Sequence, residues 1–178
     1  MADTGWLDHG TFYNDDYLSG VAWTDLTDAV SENAAYASSD VVGEDNTDYL
    51  RGQNIDEAIP AGATINGVEF RAKGYHGGAP VAWIATLKLH KNGTASGADK
   101  ALAQFIPGSN GWTSTIGGPT DMWSSGYDID DVKDPTFGVT WAIGSADTQT
   151  IYIDAVQLKI YYDEPSGHRP LPPHFKIP

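Results

Sequence analysis

The chain has no cysteine among its 178 residues, which excludes disulfide staples, thiolate nucleophiles and thiol-held metals. Bases are scarce: 10 Lys and Arg stand against 24 Asp and Glu, a net charge of -14. Neutralising phosphate needs the opposite sign, so nucleic acid and anionic membrane are poor partners. No apolar run is long enough to cross a bilayer as a helix, because Asp, Lys, Gln or Gly interrupts each one. Met1 to Trp6 lacks the basic-then-apolar order of a signal peptide. Helical spacing over ten or more residues is missing too, and with it any strand–turn–helix for a nucleotide.

What is present is glycine, 20 residues of it, and a substantial share of aromatics. That mixture suits strands joined by many turns. Val68, Phe70 and Ala72 alternate with Glu69, Arg71 and Lys73, the period-two signature of a strand with one dry face. Trp83, Ala85, Leu87 and Leu89 alternate with Ile84, Thr86, Lys88 and His90, which places Trp83 in the core; Asn92-Gly93 supplies the turn that follows. Phe137, Val139, Trp141 and Ile143 alternate with Gly138, Thr140 and Ala142. Weaker strands are read at 33–38 and 49–53. Residues 95–104 fit a short strand or a helical turn equally.

In the last core strand Ile151 and Ile153 share one phase, while Val156, Leu158, Ile160 and Tyr162 share the other. One inserted residue between Asp154 and Ala155, a β-bulge, restores all six to one face. Short alternating strands of this kind predict an all-β antiparallel β-sandwich, jelly-roll-like in character, because alternation on nearly every strand leaves one face of each sheet wet. The division of the chain is expected to be an irregular lead-in over residues 1–32, the sandwich over 33–162, and an extended arm over 163–178.

The arm holds five of the chain's ten prolines, which remove backbone donors and favour an extended form. It also keeps Leu171, Phe175 and Ile177, apolar anchors that a purely solvated tail does not need. Pro165, Arg169, Pro170, Leu171, Pro172, Pro173, Phe175 and Ile177 are accordingly expected to bind a neighbouring subunit.

Chemistry-bearing motifs are thin. The five histidines make no metal-spaced pair, there is no Gly-x-Ser-x-Gly turn, and no pair of carboxylates stands out for acid–base work. The chain is therefore expected to be non-enzymatic and to need no cofactor. Residues 1–60 hold 13 acids against the single base Arg51, and a solvated acidic face is the plain reading. Two loops are weak calcium candidates, through Asp45 and Asp48 and through Asp128 and Asp130, although neither has the spacing of a helix–loop–helix calcium site. Trp6, Trp112, Trp123 and Tyr127 lie in irregular segments. They suit a glycan, a subunit interface, or the pinning of their own loops.

Several stretches carry a resemblance: Asp48-Tyr49-Leu50, the run from Ile59 to Val68, Gly118-Pro119-Thr120-Asp121-Met122-Trp123, Phe137-Gly138-Val139, and the run from Ile153 to Tyr162. Over residues 30–162 the chain resembles a β-sandwich domain of tailed-bacteriophage virion structural proteins. The resemblance implies a head-decoration, fibre or tail-associated subunit assembled in the host cytoplasm and carried on the virion. Its partners would be other virion subunits and further copies of itself. The leading expectation is a capsid decoration subunit anchored by its arm; the alternative is a tail or fibre subunit that binds a host glycan through loop aromatics. The family implies no catalytic residue.

Overall fold

The computed structural model describes residues 1–16, 20–55, 57–78 and 81–165, leaving aside the side chains of 102–105. Of the arm positions singled out above, only Pro165 is among them; Arg169, Pro170, Leu171, Pro172, Pro173, Phe175 and Ile177 lie outside the described residues. In chain order the elements are β1 (Ala2–Asp3), β2 (Leu7–Asp15), a 3-10 turn (Leu26–Ala29), β3 (Ala37–Val41), β4 (Tyr49–Ile55), β5 (Thr64–His76) and β6 (Ala82–Lys91). There follow β7 (Thr94–Ser96), β8 (Leu102–Phe105), β9 (Gly111–Trp112), β10 (Ile116–Gly117), a one-turn helix α1 (Ile129–Lys133), β11 (Gly138–Ser145) and β12 (Gln149–Asp163).

Among the described residues every pairing between the named strands is antiparallel, and these pairings build an all-β, sandwich-like fold. In the first sheet β12 pairs along its length with β5, while β1, β2 and β3 share its other edge. The second sheet runs β2-β4-β11-β6-β7, with β8 also on β6. Strand β2 belongs to both. Its Leu7 and Asp8 pair with β12, and from His9 onward it pairs with β4.

The alternating residues fill the space between the sheets. Val68, Phe70, Val156, Leu158 and Ile160 come from the first sheet; Leu50, Leu87, Leu89, Val139, Trp141 and Ile143 come from the second, and all are fully buried. Phe70 meets Trp141 edge to face across the interior, their ring centroids 5.3 Å apart. The bulge in β12 is where the phase slip places it: Ile153 pairs with Gly74 and Ala155 with Lys73, leaving Asp154 as the extra residue.

A second bulge corrects the reading of β6. Thr86 pairs with Ala142 but Ile84 with Ile143, so Ala85 is the extra residue. Ile84 therefore faces the core, and Trp83 is half-buried on the outer side rather than in the interior. Residues 95–104 resolve into β7, a bend and β8, the bend being held by Asp99, whose carboxylate accepts the N–H groups of Leu87 and Ala101.

Candidate functional site

Of the four aromatics singled out in irregular segments, Trp123 and Tyr127 serve their own loop. Trp123 is wholly buried and its Nε1–H donates to the Val68 carbonyl at 2.9 Å. Tyr127 is buried edge-on against Phe137. A loop so rich in turns has little regular backbone bonding to hold it, so its large side chains turn inward and neither ring is offered to a ligand. Trp6 and Trp112 are half-buried on the outer face of the first sheet. They clasp the Arg71 guanidinium from two sides, at 4.1 and 3.9 Å from the ring centroids. Gln157 Oε1 accepts two more bonds from Arg71.

Three of the four calcium candidates are engaged by local donors. Asp128 caps α1, accepting the Asp131 N–H at 2.9 Å, while Asp131 returns the bond to the Asp128 N–H. Asp45 accepts the Asn46 N–H, and the nearly buried Asp48 accepts from Asn14 Nδ2 at 2.8 Å. Asp130 lies in the exposed first turn of α1. Among the described residues no three metal-ligating side chains are grouped around one point.

A cleft that the sequence reading did not find lies on the outer face of the second sheet. Since Val139, Trp141 and Ile143 face the core, the alternate residues of β11 face outward. They are Gly138, Thr140, Ala142 and Gly144, a row with no long side chain. The flanking strands carry long ones: Thr140 pairs with Arg51 of β4 on one side and Lys88 of β6 on the other. Low floor and tall walls leave a cleft of about 350 Å³, lined by Asp15, Asp16, Tyr49, Arg51, Lys88, His90, Thr140 and the β6–β7 turn from Gly93 to Ala95.

Its polar groups are fixed but not all satisfied. Arg51 Nη1 meets the Asp15 carboxylate at 2.8 Å, and its guanidinium lies 5.0 Å from the centroid of the Tyr13 ring. Arg51 Nε is buried with no hydrogen-bond partner. His90 is 3% exposed and its Nδ1 also lacks a partner. Burial, helped by the nearby Arg51 charge, pushes the His90 pKa down to about 4. At neutral pH the imidazole is uncharged and offers one donor and one acceptor. The remaining charges then balance, with Asp15 and Asp16 against Arg51 and Lys88. Such a cleft holds a neutral molecule rich in paired donors and acceptors better than it holds an ion.

The signal for this site was present but scattered. Arg51 is the single base of the first 60 residues, and Gly138, Thr140 and Ala142 stand out as the small residues opposite the core phase. Only the strand order β4-β11-β6 brings them together.

No family model matches the sequence, and no curated protein does. Among solved structures, the chain is similar to the N-terminal cellulose-binding domain from Cellulomonas fimi β-1,4-glucanase C, at 16% identity over 88% of this chain and 96% of that one, with a TM-score of 0.39. At that score the likeness adds nothing to the argument from the cleft.

Proposed function

We propose that this chain is a non-enzymatic binding subunit, and that the cleft over Thr140 holds a neutral, hydroxyl-rich ligand of the glycan class. In the virion setting that the sequence resemblance implies, this is the tail or fibre role, reached through the second sheet instead of through loop aromatics. The observation that carries the reading is the pair of buried, unpartnered polar atoms, His90 Nδ1 and Arg51 Nε, beside a cleft floored by small residues. A buried polar atom without a partner costs about 1–3 kcal/mol. A ligand hydroxyl, able to donate and accept at once, removes that cost. The carboxylate–guanidinium pair of Asp15 and Arg51 suits two neighbouring hydroxyls of one sugar ring, each side supplying what the other lacks.

The test is retention of the intact protein on an array of neutral glycans, repeated with His90→Ala and Lys88→Ala. Wild type should be retained by at least one sugar class. The His90 variant should lose about tenfold in affinity, the equivalent of one lost buried bond, while still unfolding in one cooperative transition. A wild type that no glycan retains, or variants that bind as wild type does, would remove the proposal.

A further inference from the structure

A second cleft, of about 370 Å³, opens at the far end of β11, lined by Trp83, Glu44, Asp45, Asn46, Ser145 and Ala146. Its aromatic wall exists because of the bulge at Ala85, which turns Trp83 out of the core phase onto the wet face of the sheet. Bulges re-aim side chains in this way beside binding sites. The indole lies over Gly144, where a Cβ would fall 2.6 Å from ring atoms, so glycine is what lets the ring rest against the strand. The acidic loop opposite is tied to the same strand end: Ser145 N–H donates to the Asp45 carbonyl, Thr47 N–H to the Ile143 carbonyl, and Asn46 bridges to Gly144. Glu44 and Asp45 remain exposed. A half-exposed indole beside carboxylates and an amide is suited to the apolar face of a sugar ring with its hydroxyls at the edge.

Gly144 and Thr140 are both outward residues of β11 and, four positions apart, lie about 13 Å from one another along the strand. Ala142, between them, is wholly covered, so a bound chain would be held at its two ends and pass over the middle. We propose that Trp83 forms a second sugar subsite on the same face as the Thr140 cleft, so that the ligand is an oligosaccharide of several units lying along β11, not a single sugar. This rests on the glycan reading above and adds to it the length and direction of the ligand.

The experiment is calorimetric titration of the intact protein with gluco-, manno- and galacto-oligosaccharides, each from monomer to hexamer. In a series that binds, affinity should rise with length and level off once both subsites are spanned. Trp83→Ala should lower hexamer affinity about tenfold and leave monomer affinity unchanged, which also shows that the variant is folded. Trp83→Phe, which keeps a smaller ring, should fall between the two and decides the matter if the Ala variant does not fold. Length-dependent binding that both variants retain in full overturns the second subsite and leaves the first standing. Loss of monomer binding in folded Trp83→Ala overturns it as well, since Trp83 would then belong to the first cleft. Absence of binding in all three series overturns both proposals.

Discussion

His9 sits where β2 leaves one sheet for the other, wholly buried and packed on Phe12 and Gly52. Its ring is bonded to the Val156 carbonyl through Nδ1 at 2.9 Å; a carbonyl only accepts, so Nδ1 carries the proton. Nε2 is buried without a partner. Adding a proton there would bury an unpaired charge, and burial lowers the pKa to about 4, the Val156 bond only partly opposing it. The unfolded chain keeps the ordinary value of 6.5. Between those values the unfolded state binds a proton that the folded state refuses, so stability is full above about pH 6.5 and falls as pH drops toward 4. His90 titrates in the same window and adds to the fall. For His9 alone the loss at pH 4.5 is on the order of 2–3 kcal/mol. Urea midpoints of wild type and His9→Gln, compared at neutral pH and at pH 4.5, check this. The variant should lose less stability on acidification than wild type does, and equal losses would contradict the assignment.

The two bulges show which elements sequence can disclose. In β12 the large aliphatic residues keep one phase up to Ile153 and the other from Val156, so the slip at Asp154 is visible as a break in the pattern. In β6 the pattern is degenerate: Trp83 and Ala85 make as good an apolar phase as Ala82 and Ile84. Only pairing with β11 decides between them, in favour of Ile84. The cleft was hidden for a related reason, since its walls come from β2, β4 and β6, and their meeting depends on strand order, not on any local spacing. The bulged Asp154 also shows why an element keeps an irregularity. It is wholly buried, its Oδ1 accepts the N–H groups of Asn33 and Ala34 at 2.9 Å each, and its Oδ2 lies 3.3 Å from Lys73 Nζ. The extra residue thus ties the segment before β3 to the first sheet. Asp154→Ala leaves two N–H donors and a lysine without that partner, at a cost of about 3–5 kcal/mol. Asp154→Asn keeps the Oδ1 acceptor and should cost less. Denaturant unfolding of the two variants should give that order, and an Ala variant as stable as wild type would mean that water replaces the carboxylate freely.

At the scale of the whole molecule, the two sheets expose faces of different character. The outer face of the first is closed on itself, with Arg71 between Trp6 and Trp112, and Lys159 4.4 Å from the Trp6 ring and 3.6 Å from Glu69. On the second, a row of small residues between longer neighbours leaves a cleft beside the unpaired His90 Nδ1 and Arg51 Nε. The proposed ligand site lies on the second face for that reason, and the described residues lining its two clefts extend no further along the chain than Ala146. Among the described residues the last strand, β12, ends at Asp163 beside β5, with β1 on its other edge at Tyr161 and Tyr162. Removing residues 166–178 should therefore leave both the unfolding midpoint and glycan retention as they are in the full chain. Attachment to a capsid through the arm is a separable expectation, and the same truncation measures it. Particle occupancy lost with glycan retention intact would assign the chain two independent uses, one for the arm and one for the sheet. Glycan retention lost with the fold intact would move the binding site from β11 to the arm.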